Sequence, residues 1–531
     1  MFLARSNVAH ACGVGMKRII WVLLVSNAIF GSAYASSRAD HLGNLRMEKQ
    51  KRLMIWTMEG DVQLSGGDQT PTKTTFRFGP GAGSAKQRFE IPGLRIVEFS
   101  ATARFKSDDV VARIRVQCYD ARNRVVMELS QPFDPKKGNT EAGSSSGIYF
   151  KTQAHTKYLV ASIEKTAVSQ GPVTVESAKL QDFDKDRVTH KPECNLDEYM
   201  LPIWNGSTVH NETVLMVSNE GKPSSGSLLF QPKRVLSVKD SQLKVTYEEG
   251  RDFSVNGKVL TAVPGSRIQS VKGSEFPKEQ YPWWSVAGKH LCVTYEHTDV
   301  WEGPVPEYQG RDLAGTVKRL IGKKPLTVVA LGDSITLGIN VSGYRGEPPY
   351  MPTWAELFTW KLAKEFGDSR IQLFNVGLGG MTARWGEDNA SSAVASLNPD
   401  LVLIAFGMND FWSVDADSFR KSIVATMNSI RNKRPKAEFI LISSIRFDPI
   451  YTVEKDYVEH LTSYAKELQS LAGPGVGYLD MTGLTDYLYK VKSSKDLMSD
   501  PMHPDDFLAR WYAQSLVAML DNRQASTQKR R

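Results

Sequence analysis

The stretch "LTVVALGDSITLG", residues 326–338, joins an apolar run to a turn of glycine, aspartate and serine. The apolar run predicts a buried strand over 326–331, and the small polar residues after it predict a turn into a helix. Ser334 therefore stands where a strand ends. It is either a reactive hydroxyl or a residue that only caps the helix.

From about residue 315 onward, segments with the pattern of strands alternate with amphipathic helical segments. The predicted strands are 326–331, 371–376, 400–406, 437–444 and 476–480, and the predicted helices are about 354–366, 415–433, 453–471 and 505–521. Thr353 and Glu356 form a T-x-x-E capping box at the start of the helix near 354. This alternation is typical of a parallel sheet with helices on both faces, and it predicts an α/β domain.

Small polar or glycine-rich clusters follow the predicted strands of this region. In chain order they are "GDS" at 332–334, "NVGLGG" at 375–380, "GMND" at 407–410 and "DPMHP" at 500–504. In open α/β sheets, binding and catalytic sites lie outside the carboxyl ends of the strands. The clusters are therefore expected to meet at one edge of the sheet.

The clusters contain the residue types that acyl transfer needs. A serine hydroxyl is a weak nucleophile and needs a base within hydrogen-bond reach, and His503 can be that base for Ser334. His460, the other histidine of this region, stands in the middle of a predicted helix and is interpreted as structural or exposed. Asp500 can accept a hydrogen bond from the His503 ring and fix its tautomer, although a turn residue beside Pro501 is an equal reading by spacing alone.

A tetrahedral intermediate also needs donors for its oxyanion. Candidates are the backbone N–H of Ser334, the backbone N–H of Gly380 and the side-chain amide of Asn409. The alternative for the glycines is a tight turn, and the alternative for Asn409 is an Asx-turn after a strand.

Taken together, and in this order, the four clusters resemble the conserved blocks of the SGNH (GDSL-like) hydrolases. The resemblance covers about residues 315–522 and implies a flavodoxin-like α/β/α domain that cleaves esters. It implies Ser334 as nucleophile, Asp500 and His503 as its partners, and Ser334, Gly380 and Asn409 as oxyanion donors. It calls for no metal and no cofactor. The first block reads "GDSIT" where the family more often has leucine, which is a packing change at Ile335.

Two β-rich regions precede this domain. Short alternating runs separated by turn residues fill 46–190 and again 195–305, and long helical patterns are missing from both. This is typical of β-sandwich-like domains, the first of which is similar in pattern to a carbohydrate-binding module. The predicted fold class is therefore α/β, with a C-terminal flavodoxin-like SGNH domain after two β-sandwich-like domains.

The N-terminal 35 residues have the pattern of a signal peptide. "MKR" precedes the apolar run "IIWVLLVSNAIF", and Ala33 and Ala35 fit an A-x-A cleavage site. We expect export to the periplasm or the extracellular space; the alternative is an uncleaved anchor. Export would leave three cysteines, Cys118, Cys194 and Cys292. Cys118 is expected to be a buried thiol, and Cys194 and Cys292 are expected to pair in a disulfide.

The expected substrate is an acetylated polysaccharide or oligosaccharide. The loop 340–354 is rich in Tyr, Pro and Trp, and Tyr350 and Trp354 could stack on sugars; the alternative is that these residues pack the loop. A lipase, lysophospholipase or thioesterase of the same fold, and a glycan O-acyltransferase, remain alternatives. So does a glycan-binding surface protein. The formal net charge of +8 is spread along the chain, and no nucleic-acid module or stable membrane insertion is expected.

Overall fold

The structure is a computed structural model. It describes residues 56–523 except for 65–75, 92, 94, 106–109, 134–143, 154, 167–170, 183–190, 277–283, 368 and 450–454. The predicted signal peptide lies outside the described residues. In the part of the chain that the structure describes, no helix combines the length and the apolar character needed to cross a bilayer.

The described residues of the first β-rich region form eight antiparallel strands. They are β1 Thr57–Leu64, β2 Phe76–Phe89, β3 Ile96–Phe105, β4 Ala112–Tyr119, β5 Val125–Pro132, β6 Ser144–Lys151, β7 Tyr158–Lys165 and β8 Val173–Asp182. Their order is β5-β4-β7-β2-β8-β3-β6, with β1 on β2. The long strand β2 pairs with two neighbours along its length: residues 83–89 pair with β7 and residues 76–78 pair with β8. Alternate residues of β4 are buried, so one face of the sheet covers a core.

Where the structure describes it, the second β-rich region has two small sheets and one short α-helix. The elements are α1 Leu196–Tyr199, β9 Thr208–Val214, β10 Val217–Ser218, β11 Ser225–Ser227, β12 Pro232–Lys239, β13 Thr246–Tyr247, β14 Phe253–Asn256, β15 Val259–Ala262, β16 Val271–Lys272 and β17 Leu291–His297. One sheet has the order β14-β15-β11-β10-β16 and the other β13-β12-β17-β9.

The C-terminal region is a parallel sheet flanked by helices. Its strands are β18 Leu326–Gly332, β19 Ile371–Asn375, β20 Leu401–Ala405, β21 Glu438–Ile442 and β22 Val476–Leu479. Its helices are α2 Ala314–Ile321, α3 Ser334–Leu337, α4 Ser342–Arg345, α5 Trp354–Glu365, α6 Ala383–Asn389, α7 Ala416–Lys433, α8 Lys455–Ser470, α9 Met481–Val491 and α10 Asp506–Leu520. The strand order is β19-β18-β20-β21-β22, with every pair parallel. The predicted fold class is confirmed, and Thr353 and Glu356 do form a capping box at the start of α5.

Both β-rich regions pack on the C-terminal domain. Gln153, which follows β6, donates to the carbonyl of Asn375 at 2.9 Å, at the end of β19. On the other side, Arg510 and Gln514 of the buried helix α10 each donate to the carbonyl of Tyr199 at 3.0 Å. The described residues belong to one compact unit, Trp56–Arg531.

Candidate active site

Ser334 is the first residue of α3, directly after β18. The Asp333 side chain caps this helix by accepting a hydrogen bond from the Ile335 N–H at 2.9 Å. A Cβ at Gly332 would lie 2.2 Å from the carbonyl oxygen of Ala405 in β20, so only glycine fits there. The strand can thus deliver Ser334 to the carboxyl edge of the sheet, where its side chain is largely buried.

His503 connects Ser334 to Asp500. Its Nε2 lies 2.9 Å from Ser334 Oγ, and its Nδ1 lies 2.9 Å from Asp500 Oδ2 and 3.0 Å from Oδ1. A carboxylate only accepts, so Nδ1 carries the proton and Nε2 is left to accept the serine hydroxyl. The structure therefore brings the predicted serine, histidine and aspartate together in one hydrogen-bonded row.

Asp500 also stabilises a turn, which was the alternative interpretation of this residue. Its Oδ1 accepts hydrogen bonds from the backbone N–H groups of Met502 at 2.9 Å and His503 at 3.0 Å. These bonds close the tight turn from Asp500 to His503. The carboxylate is fully buried. Burial alone favours neutral imidazole, but the charge and hydrogen bond of Asp500 together with the charge of Asp333 outweigh it and raise the pKa of His503 above its ordinary value.

The segment 492–503 that carries this pair is held by the second β-rich region. Lys492 Nζ lies 2.6 Å from Glu212 Oε1 of β9, and both side chains are 0% exposed. Asp496 accepts from the Leu215 N–H at 2.6 Å through its side chain and from the Thr213 hydroxyl at 2.6 Å through its carbonyl.

Two further contacts reach the same segment. The Val286 N–H donates to the Ser499 carbonyl at 2.8 Å, one residue before Asp500. His290 Nε2 lies 2.8 Å from the carbonyl oxygen of Lys495. The second β-rich region thus supplies contacts between Lys492 and Ser499, a connection that no sequence motif indicated.

The loop 376–382, which carries Gly380, is fixed at both ends. Asn375 donates to the carbonyl of Thr336 in α3 at 2.7 Å, and the Leu378 N–H donates to the Gly332 carbonyl at 3.0 Å. On the other side, the Asn409 amide donates to the carbonyl of Met381 at 2.9 Å. Gly380 has a left-handed φ of +77°. Gly380 and Asn409 therefore belong to one connected loop system beside Ser334, and their oxyanion role stays a prediction.

Two buried carboxyl groups, Asp333 and Asp410, support this loop system. Asp410 accepts from the Ala383 N–H at 2.9 Å and so fixes the start of α6. Burial raises the pKa of Asp333 to about 6, and burial together with the charge of Asp333 raises the pKa of Asp410 to about 7. Both residues stand in the quoted clusters, but the sequence assigned them no role.

Trp354 is not available to a substrate, contrary to the sequence-based expectation. It is 1% exposed, its indole N–H donates to the Ile335 carbonyl at 2.9 Å, and its ring stacks on Tyr512. The ring packs α5 onto the helix that begins with Ser334, which is the alternative reading of this loop. Tyr350 is half-buried with a φ of +55°, and its role stays a prediction. His460 is structural, as expected, because its Nδ1 lies 2.8 Å from the Phe411 carbonyl.

The three described cysteines are free thiols. Cys118 is buried in β4 as expected, and burial raises the pKa of its thiol to about 12. Cys194 and Cys292 do not form the anticipated disulfide, and burial raises the pKa of both thiols. Such raised pKa values leave little thiolate at neutral pH.

Several solved structures are similar to part of this chain. A two-domain esterase (CEX) active on acetylated mannans, co-crystallized with mannopentaose, has 18% identity and a TM-score of 0.34; the match covers 42% of this chain and 56% of that one. The acetyl xylan esterase AlAXEase has 22% identity and a TM-score of 0.30, with 36% and 98% covered. Axe2, an acetylxylan esterase from Geobacillus stearothermophilus, has 15% identity and a TM-score of 0.31, with 38% and 97% covered. This chain thus spans about half the length of the two-domain esterase.

No curated protein matches the sequence. Residues 330–509 match the GDSL-like lipase/acylhydrolase family. The matched range begins four residues before Ser334 and ends six residues after His503, so it contains all four clusters. Residues 330–509 are therefore a GDSL-like lipase/acylhydrolase domain, a domain of the carboxylic ester hydrolases.

Proposed function

We propose that this protein is an exported serine esterase that removes O-acetyl groups from a polysaccharide. The observation that carries the proposal is the row Ser334–His503–Asp500, in which both links of the imidazole are 2.9 Å long. The row is buried, so the hydrogen bonds act in a medium less polar than water.

The cycle has two halves. His503 Nε2 takes the proton of Ser334 as Oγ bonds to the ester carbonyl carbon, and the carbonyl electron pair moves to the oxygen. Ser334 N–H, Gly380 N–H and the Asn409 amide would donate to that oxyanion. The ester C–O bond then breaks, and the alcohol leaves with the proton from His503. Water gives a proton to His503 and attacks the acyl-serine, and Ser334 recovers its proton as the acid is released.

Gly379, in the loop that carries Gly380, lies beside Ser334. A Cβ added at Gly379 would lie 3.7 Å from Ile339 Cδ1 and 4.0 Å from Ser334 Cβ, which is ordinary van der Waals contact. The signal-like N-terminus and the two β-rich regions before the esterase domain support an exported, glycan-directed enzyme. An enzyme of this kind needs access to a long chain, but only a small pocket for the acetyl group.

Acetate release tests the proposal. We expect the protein to release acetate from at least one member of a panel of acetylated plant, bacterial and algal polysaccharides, with Ser334→Ala as blank. Nitrophenyl acetate should be cleaved faster than longer acyl esters. A preference for long acyl chains would support a lipase or thioesterase instead, and acyl transfer to a glycan above hydrolysis would support an acyltransferase.

The pH profile follows from the charge state of His503. The imidazole acts as a base only when neutral, so activity is lost as the pH falls through its pKa. Because Asp500 raises that pKa, the acid limb of kcat/KM should lie above pH 6.5, the ordinary value. Asp500→Asn removes the carboxylate, so the acid limb should move to lower pH while kcat falls by about 10²–10⁴-fold. An acid limb that Asp500→Asn leaves in place would contradict this role of Asp500.

A further inference from the structure

Asn340 lies three residues after the end of α3 and is buried beside the row Ser334–His503–Asp500. Its φ of +74° is a left-handed conformation that asparagine tolerates better than most residues. The side chain is placed by this backbone, and Arg345 of α4 donates from Nη1 to the Asn340 carbonyl. Only 7% of the residue is exposed, so its amide must find partners inside the protein.

The Asn340 amide donates from Nδ2 to Asp500 Oδ2. The two carboxylate oxygens are thereby held by different groups. Oδ1 accepts from two backbone N–H groups of its own turn, and Oδ2 accepts from Asn340, while the His503 Nδ1–H lies within reach of both. Without Asn340, one oxygen of a fully buried carboxylate would keep the imidazole as its only described donor.

We propose that Asn340 is a positioning residue that fixes the plane and the charge of Asp500, and through it the orientation of His503. This inference rests on the proposed function. The physical reason is that the Asp500 carboxylate stabilises the imidazolium formed at His503, and a fully buried carboxylate needs hydrogen-bond donors. Charged groups near the site include Asp333, which acts on His503 from the turn before α3, and Arg345, which lies 3.0 Å from Glu347 and faces the charge of Asp506.

Asn340→Asp is the informative variant. It keeps the size and the tolerated backbone conformation, but it places a second carboxyl group against Asp500, and that group is only an acceptor once it is ionised. We expect kcat to fall by about ten- to a hundredfold, the worth of a hydrogen bond to a charged group, with KM changed less than about twofold. The added negative charge should also move the acid limb of kcat/KM to higher pH, a change that mere loosening of the loop would not produce.

Asn340→Gly provides a second variant in case the aspartate does not fold. Glycine accepts the left-handed backbone and deletes the amide, so kcat should fall similarly without the upward shift of the acid limb. The matched control is Asn398→Asp, the same change at another left-handed asparagine, with φ +54°, before β20 at the opposite edge of the sheet. The control should keep both kcat and the pH profile.

The outcomes distinguish the role of Asn340 from the proposed esterase function. If the wild type cleaves esters and both Asn340 variants keep its kcat and its acid limb, the inference is overturned while the esterase function stands. If the wild type cleaves no ester, or Ser334→Ala is as active as the wild type, the proposed function fails and the inference fails with it.

Discussion

Ser334→Ala is expected to lower kcat for nitrophenyl acetate by at least about 10³-fold without unfolding the protein. The reason is that the reaction passes through a covalent bond to Ser334 Oγ, for which alanine offers no substitute. The side chain makes its one described hydrogen bond to His503, at 2.9 Å, so its removal costs the fold little. Rates and thermal unfolding of both proteins should be measured on the same preparations.

Ser396→Ala is the control for this variant. Ser396 is exposed, and its hydroxyl donates to the Ser392 carbonyl at 2.6 Å, away from the catalytic row. Its kcat should equal that of the wild type. A folded Ser334→Ala protein with wild-type kcat would remove Ser334 from the mechanism.

Lys492→Met should have the largest effect on stability. It leaves the Glu212 carboxylate buried, with only the Tyr295 hydroxyl at 2.6 Å and the Leu229 N–H at 2.8 Å to satisfy it. Removing one member of a buried ion pair typically costs about 3–5 kcal/mol. Because Lys492 begins the segment that ends at His503, kcat of the folded fraction should fall as well. Urea unfolding and initial rates at one temperature measure the two effects.

Lys421→Met is the matched control, since Lys421 and Asp417 form a pair of the same length, 2.6 Å, on the surface. With side-chain exposures of 71% and 68%, that pair is screened by water and contributes little to the free energy of unfolding. Glu212→Leu combined with Lys492→Met should regain at least about 1 kcal/mol over Lys492→Met alone, because the Glu212 carboxylate is then removed together with its cation, and only Asp496, 3.3 Å from Lys492 Nζ, still loses its partner. Equal losses for Lys421→Met and Lys492→Met would contradict the role given to the buried pair.

The row Ser334–His503–Asp500 could be predicted from the sequence because its members stand in short clusters directly after strands. In a parallel sheet those ends share one edge, so Ser334, Asp500 and His503 can meet although they are far apart in the chain. The order of strands and helices could be predicted because hydrophobic periodicity shows whether a segment is buried on one face or on both. The capping box at Thr353 is equally local, since both of its partners lie within one helical turn.

Contacts between distant segments could not be predicted in this way. Composition made Trp354 look like a sugar platform, but its direction is set by the helix on which it packs. Cys194 and Cys292 stand at the two ends of a β-rich segment, but this placement in the sequence does not determine the distance between their sulfur atoms. Glu212 and Asn340 stand in no motif at all. Their importance depends on which buried charge lies opposite, and that is a property of the folded chain alone.

Labelling with a fluorophosphonate, followed by peptide mapping, tests most directly whether Ser334 is a nucleophile activated by His503. Such reagents react with a serine only when a neighbouring base makes it nucleophilic. We expect about one equivalent of label on the peptide that contains Ser334, none in Ser334→Ala, and strongly slowed labelling in His503→Ala. Labelling of a different residue, or of Ser334 at an unchanged rate in His503→Ala, would contradict this expectation.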